Sequence, residues 1–187
     1  EEKNKINIYA GTGENVELSN FANRPFITND EKSIQTNHIF NNMKFNSVEQ
    51  AYQAAKYEYS ESTDTPVGEH NEKIYQAILN SKTGAEAKKL GSQFKNLDSK
   101  SWDEDSSSIM KELLVASFKQ NPDALQKLLA TGNAELTHTQ DKGKWGTEFP
   151  KLLMEVRQEL RGSVAPTTGS KGRLAELENK MKTKGLS

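Results

Sequence analysis

The stretch Ser47-Val-Glu-Gln-Ala-Tyr-Gln-Ala-Ala-Lys-Tyr-Glu-Tyr59 organises the rest of this chain, because it carries both a helix start and a core-facing stripe. Ser47 followed three residues later by Gln50 is a capping box, in which a hydroxyl and an amide pair with backbone groups that the first helical turn leaves unpaired. Apolar residues then recur at helical spacing, which turns one stripe toward a core. They are Val48, Ala51, Tyr52, Ala55 and Tyr59. The sequence therefore predicts a helix that begins at Ser47.

A polar row lies beside this stripe. Glu49, Gln53 and Lys56 stand at positions i, i+4 and i+7, so Glu49 and Lys56 project the same way, about 10 Å apart along the helix axis. One interpretation is a solvated face, because such rows are common on helices. The other is an acid and a base at a functional site. Glu49 lies in the first turn, where the helix dipole favours the ionised carboxylate unless burial overrides it.

Composition excludes several classes of protein. The chain has 187 residues, a formal net charge of -1 and a mean hydropathy of -0.84. These values fit one soluble domain with an appendage and lack the basic excess of a nonspecific nucleic-acid-binding protein. The absence of cysteine excludes disulfides, thiolate nucleophiles and cysteine-based metal sites. No apolar run suits a membrane span or a signal peptide, so we expect a cytoplasmic protein of a bacterial cell, or a phage protein acting in the host cytoplasm.

Periodicity and turn residues predict the other elements, which together form a helix-rich α+β fold with a small β-sheet or hairpin. Short strands are predicted over 5–10 and 134–139, a β-hairpin over 38–45 and an exposed loop over 60–70. Helices are predicted over 71–80 and 83–90, from 105 or 106 to 119, over 124–130 and over 150–160, with an irregular segment over 96–102.

The composition changes after Gly162. Residues 163–170 have the composition of a linker, and residues 171–184 carry a stripe of Leu174, Leu177 and Met181 that is too narrow for a core. The sequence therefore predicts one compact domain over residues 1–162. A flexible linker and a marginal tail helix follow over 163–187, and this tail is expected to dock on a protein partner or on a second copy of the chain.

Over about residues 6–161 the chain resembles the NADAR family, also called YbiA-like. The order and spacing of several blocks carry this resemblance, which makes it more specific than any single motif. The blocks are Leu18-Ser-Asn-Phe21, Ser47 to Lys56, Trp102, Phe118-Lys-Gln-Asn121, Leu128-Leu-Ala-Thr-Gly132, Trp145-Gly146 and Leu152-Leu-Met-Glu-Val-Arg157.

The resemblance implies a compact YbiA-like domain that binds ADP-ribose-like or ribose-phosphate compounds and hydrolyses N-glycosidic bonds. Family activities include cleavage of ribosylated pyrimidine intermediates of riboflavin synthesis and removal of ADP-ribose from guanine bases, so ADP-ribosylated nucleic acid is a candidate partner. No cofactor is expected, since the three histidines also lack metal-ligand spacing. Candidate catalytic residues are Glu49, Lys56 and Asp141, and candidate substrate-binding residues are Asn20, Phe21, Gln53, Trp102, Trp145 and Gly146.

The residue types suit this chemistry. Cleavage at ribose C1 passes through an oxocarbenium-like state, which a carboxylate such as Glu49 stabilises. Lys56 would hold a phosphate or sugar hydroxyl, or act on the ribose as an amine if desolvated. Trp102 and Trp145 would stack on a flat base, each worth about 1 to 3 kcal/mol. The alternative for either tryptophan is a place in the core.

The chain departs from the family pattern around residues 136–151. Leu136-Thr-His138 has no acid where a Val-Glu pair is usual, and Asp141 lies four residues before Trp145 rather than three. The usual loop rich in glycine and asparagine is also missing after Gly146. These departures leave two alternatives to an N-glycosidase: a non-catalytic module that binds ADP-ribose or a related nucleotide, and an interaction protein that acts through its C-terminal tail.

Overall fold

The computed structural model describes residues 4–13, 15–28, 42–61 and 64–163. Four short strands lie in these ranges: β1 Lys5–Asn7, β2 Phe26–Ile27, β3 Lys44–Phe45 and β4 Glu135–Thr137. The α-helices are α1 Val48–Ala55, α2 Pro66–Leu79, α3 Gly84–Gly91, α4 Ser99–Lys119, α5 Pro122–Ala130 and α6 Trp145–Ser163. This content confirms the predicted helix-rich α+β class. The predicted linker and tail helix lie outside the described residues.

The strands form two separate pairs. β1 runs parallel to β4, with Ile6 beside Leu136, and β2 runs antiparallel to β3, with Phe26 beside Phe45. The two short strands predicted near the ends of the domain are therefore present. Most of the predicted hairpin over 38–45 falls outside the described residues, and the strand that ends it, β3, pairs with β2.

Helix α1 lies at the centre of the molecule, and all eight of its residues are buried. Its start is confirmed, since Ser47 Oγ accepts a hydrogen bond of 3.1 Å from the backbone N–H of Gln50. In a capping box the Gln50 side chain bonds back to the backbone N–H of Ser47. Here Gln50 Oε1 accepts instead from the N–H of Asn46, one residue earlier, at 2.7 Å. The α-helix ends at Ala55, and a 3-10 turn over Lys56–Tyr59 continues it. A solvated polar face on α1 was the wrong interpretation, since helices cover this side as well.

Helix α3 provides that cover, and two glycines allow it to approach α1 closely. A Cβ on Gly84 would lie 3.3 Å from Glu49 Cβ and 3.2 Å from Phe21 Cα. At the other end of α3, a Cβ on Gly91 would overlap the amide oxygen of Gln53. Small residues at helix contacts let two backbones come together, so the polar row of α1 is enclosed rather than exposed.

Three helices begin five or more residues earlier than predicted, and capping side chains explain two of these starts. α2 starts at Pro66 because Thr65 Oγ1 accepts from Gly68 N at 2.9 Å, which takes 66–70 out of the predicted loop. α4 starts at Ser99 because Asp98 Oδ1 accepts from Ser101 N at 3.2 Å, so the irregular segment expected up to residue 102 ends in a helix. α6 starts at Trp145, five residues before Pro150, which it contains.

The core is continuous around α1. α4 packs against both α1 and α6 and contributes the fully buried side chains of Ile109 and Leu113, while α6 contributes Leu153 and Val156. Burial of an aliphatic side chain of this kind contributes about 1.5 to 3 kcal/mol. None of the helices in the described ranges is long and apolar enough to cross a membrane.

Candidate functional site

The carboxylate of Glu49 is buried at the start of α1, where only 6% of the residue is exposed. Its backbone N–H donates to the carbonyl oxygen of Asn20 at 3.0 Å, which ties the helix to the segment before Phe21. Its Oε2 accepts a hydrogen bond of 2.6 Å from Gln53 Nε2, one turn further along. The structure thus holds the carboxylate in a fixed position within the domain.

Burial raises the pKa of Glu49 above its ordinary value. The hydrogen bond from Gln53 and the positive charges of Lys88 and Lys56 oppose that rise without cancelling it. For Lys56, burial lowers the pKa, the Glu49 carboxylate raises it, and Lys88 lowers it further. Burial therefore overrides the helix dipole that favoured an ionised Glu49. A carboxyl group with a raised pKa is a stronger base when ionised, which suits it to take a proton from water or a substrate.

Lys88 is a charged neighbour of Glu49 that the sequence analysis did not single out. It lies on α3, one turn after Gly84, and its Nζ is 5.9 Å from the centroid of the Phe21 ring. We call the five side chains that meet here the Glu49 cluster: Phe21, Glu49, Gln53, Lys56 and Lys88. The spacing of Gly84, Lys88 and Gly91 in the sequence could have identified Lys88, because it places the three residues on one face of α3.

Two amide oxygens near Glu49 are buried and have no hydrogen-bond donor within the described ranges. They are Asn20 Oδ1 and Gln53 Oε1. Asn20 Nδ2 contacts Met110 Sδ at 3.4 Å, which is a weak acceptor. Gln53 Oε1 faces Gly91, so it is enclosed between the two helices. Asn20 thus positions Glu49 through its backbone carbonyl, and Gln53 does so through its side-chain amide.

Both tryptophans contact Tyr52, which lies one turn after Glu49. The ring of Tyr52 is 5.0 Å from that of Trp102 and 5.5 Å from that of Trp145. Trp102 is 6% exposed and also contacts Tyr59 at 5.2 Å, which places it in the core. Trp145 is partly exposed, with Lys144 Nζ 5.0 Å from its ring centroid. Trp145 is therefore the indole that a ligand can reach with less rearrangement.

Tyr52 links these rings to the cluster. Burial raises the pKa of its hydroxyl, and the Glu49 charge raises it further, whereas hydrogen bonding with Ser106, Trp145 and Trp102 opposes the shift. Tyr52 is thus neutral at physiological pH and close enough to Glu49 to sense its charge. The place of Tyr52 on the apolar stripe predicted a core position, and that pattern gave no sign of its electrostatic interaction with the Glu49 carboxylate.

Asp141 lies in a turn and its side chain accepts a hydrogen bond there. Its Oδ1 accepts from Gly143 N at 2.7 Å, and its Oδ2 lies 3.8 Å from His138 Nε2. His138 in turn lies 2.7 Å from the carbonyl oxygen of Ile8 through Nδ1. A Cβ on Gly146 would overlap the carbonyl oxygen of Asp141, so this glycine permits the turn. Among the described residues, the hydrogen bonds of Asp141 join it to this turn rather than to the Glu49 cluster.

One cavity adjoins the Glu49 cluster and a larger one lies apart from it. The first, of about 130 Å³, is bounded by Phe21 and Gly84 and by the starts of α1 and α3. The larger, of about 480 Å³, lies at the start of α5 and is lined by Arg24 and Lys127. No candidate catalytic residue borders either cavity, and the smaller one adjoins the cluster because Phe21 lines it and Gly84 lies against Glu49. No group of three or more histidine and acidic side chains in the described ranges is placed to hold a metal.

The comparisons with known proteins agree with this architecture. The sequence model of the NADAR domain matches residues 8–161. The NMR structure of the Escherichia coli protein YbiA aligns with a TM-score of 0.63 and 23% identity, covering 87% of this chain and 88% of that one, and this likeness shows the fold. No curated protein sequence matches the chain significantly. Because the family match spans most of the chain and includes every residue of the Glu49 cluster, the protein belongs to the NADAR family.

Proposed function

We propose that this protein hydrolyses N-glycosidic bonds to ribose in ribosyl-phosphate or ADP-ribosyl compounds. The observation that carries the proposal is the buried Glu49 carboxyl, which Gln53 orients at 2.6 Å and which two lysines flank. NADAR proteins are associated with N-glycosidase activity, and this geometry supplies the carboxyl group that such a reaction needs. ADP-ribosylated guanine and ribosylated pyrimidines are the substrates that we propose to test first.

In the proposed reaction the bond between ribose C1 and the base nitrogen breaks, and its electron pair stays on the nitrogen. C1 acquires oxocarbenium character, which the nearby carboxylate of Glu49 stabilises. A water oxygen bonds to C1 while Glu49 accepts one of its protons. That proton then passes to the departing nitrogen. The raised pKa of Glu49 makes its carboxylate a stronger base toward the proton of water, and the hydrogen bond from Gln53 holds it in place.

The other members of the site would bind and orient the substrate. Lys56 is partly buried, and its positive charge would hold a sugar hydroxyl or phosphate, or its amine would act on the ribose when unprotonated. Phe21 and Trp145 offer aromatic faces to the sugar or base. Trp102 supports Trp145 through Tyr52 rather than by direct stacking on the ligand.

The test is a product assay with two substrates: an oligonucleotide carrying ADP-ribosylated guanine, and a ribosylated pyrimidine phosphate. We expect the wild-type protein to release ADP-ribose or ribose phosphate, and Glu49→Gln to lose this activity. Glu69→Gln is the matched control, because Glu69 also lies in the first turn of a helix but is exposed. Failure of the folded wild-type protein to release either product would refute the proposal.

One observation favours a second candidate, a nucleotide-binding module without catalysis. Asp141, which was expected at the site, holds a turn through Gly143 instead. In this alternative ADP-ribose binds in calorimetry but is not turned over. Trp145→Ala would then weaken binding, whereas Glu49→Ala would leave it unchanged.

A further inference from the structure

Helix α3 places a second ammonium group, that of Lys88, at the site, although the position of Lys88 in the sequence does not predict this. Gly84 lies against Glu49 and Phe21, and Gly91 lies against Gln53, so α3 follows the polar row of α1 from end to end. Lys88 is one turn from the first glycine and nearly one turn from the second, on the same face. Its side chain therefore extends from between these two contacts toward the Phe21 ring, 5.9 Å away.

Lys88 is held only weakly in this position. A distance of 5.9 Å is near the outer limit of a cation–π contact, which is weak at exposed sites. Lys88 is exposed, and it has no salt bridge with any of the described residues. Its ammonium is therefore free to turn toward a ligand at the mouth of the site, whereas Lys56 is partly buried beside Glu49.

The charges of the cluster favour an anionic group beside the ribose. With Glu49 ionised, the cluster carries one negative and two positive charges, so it retains one positive charge. Glu49 itself feels both ammonium groups, and the influence of Lys88 exceeds that of Lys56. Lysine binds phosphate as a mobile point charge, without the fixed geometry that arginine requires.

We infer that Lys88 binds the phosphate of the substrate and makes the site selective for phosphorylated ribosides over neutral ones. This inference rests on the proposed function, since it places the ribose at Glu49. It assigns Lys88 to substrate binding and leaves the chemical step to Glu49. Phosphate would then lie on the α3 side of the cluster, and the base would lie toward Trp145.

The experiment compares a ribosylated pyrimidine with and without its 5′-phosphate, using the wild type, Lys88→Gln and Lys89→Gln. Loss of one exposed charge contact to phosphate corresponds to an increase of about tenfold in KM. We expect this increase for Lys88→Gln with the phosphorylated substrate alone, at unchanged kcat. Lys89 is the control, because it is also exposed and lies next along α3, but it makes no contact with the cluster among the described residues.

The outcomes separate the two proposals. If Lys88→Gln lowers kcat/KM equally on both substrates, Lys88 acts by tuning Glu49. If Lys89→Gln has the same effect as Lys88→Gln, the effect is a general one of surface charge. Either result overturns the inference. Lys88→Arg, which keeps the charge, should recover most of the affinity. If the wild type cleaves neither these pyrimidines nor the ADP-ribosylated oligonucleotide, the proposed function fails, and calorimetry with ADP-ribose still tests Lys88, since Lys88→Gln must weaken binding about tenfold for the inference to stand.

Discussion

Replacing Gly91 with alanine tests the contact that encloses the polar row of α1. The new methyl group would overlap Gln53 Oε1 and lie 3.1 Å from Gln53 Cβ, so rotation of the amide alone does not remove the clash. Gln53 is also 4% exposed and is fixed by its hydrogen bond of 2.6 Å to Glu49. Either α3 moves away from α1, or Gln53 releases the carboxyl group.

The size of the effect follows from two opposing contributions. Overpacking a core contact costs about 1 to 3 kcal/mol, and exchange of glycine for alanine in a helix returns about 0.5 to 1 kcal/mol. With the middle of each range, the net loss in the free energy of unfolding is about 1 kcal/mol. For a domain of this size the melting temperature should fall by about 2 to 5 °C. Activity should fall as well, because Glu49 loses its orienting partner.

Gly162→Ala is the matched control: among the residues that the structure describes, no atom outside its neighbours and its own helix backbone lies within 4 Å of the added Cβ, and its φ is not in the left-handed region. That variant should keep full activity and gain up to about 1 kcal/mol. Calorimetric melting and urea unfolding of both variants give the comparison. If Gly91→Ala melts at or above the wild-type temperature with normal activity, α3 does not approach α1 as closely as the structure shows, and the enclosure of Gln53 and Glu49 is wrong.

Four further variants test the site and its surroundings. Glu49→Gln should lower kcat by a factor of about 10² to 10⁴. The same variant should melt above the wild type at pH 8 but not at pH 3. A buried carboxyl with a raised pKa contributes stability below its unfolded pKa and loses that stability as pH rises through the folded pKa. Equal melting temperatures of the two proteins at pH 8 would contradict this prediction. Trp102→Phe, which leaves Trp145 as the sole indole of the chain, should give a protein whose fluorescence changes on binding ADP-ribose, and a silent spectrum at saturating ligand would remove Trp145 from the site. Arg24→Met should destabilise the fold by about 2 to 4 kcal/mol, since the buried guanidinium donates to the carbonyl oxygens of Glu17 and Ser19, and urea unfolding measures this loss. Deleting residues 164–187 should leave hydrolysis unchanged, whereas loss of activity would assign function to the tail.

Local signals in the sequence were sufficient for much of the fold. The cap at Ser47 and the strands near residues 6 and 136 follow from interactions within a few residues. The helix starts at Pro66, Ser99 and Trp145 were missed where polar segments looked like loops, although Thr65 and Asp98 are ordinary capping residues.

The site was less predictable because it depends on contacts between distant segments. Glu49 was singled out from the polar row of α1 and from the family pattern, but its burial comes from α3, which lies 35 residues later at Gly84. Helical spacing alone cannot distinguish a polar row that faces water from one that faces another helix. Lys88 was missed for the same reason, and Asp141, expected at the site from the family pattern, accepts a hydrogen bond within the turn through Gly143.

The burial of every residue of α1 has a practical consequence for mutagenesis of this protein. Positions that serve chemistry and positions that serve folding alternate along the same two turns, so a random library over this helix will mostly yield insoluble protein. Inactive clones from such a library say little about mechanism unless each is scaled to its soluble yield. Conservative exchanges of similar volume, such as glutamate to glutamine, are the ones that separate the two effects.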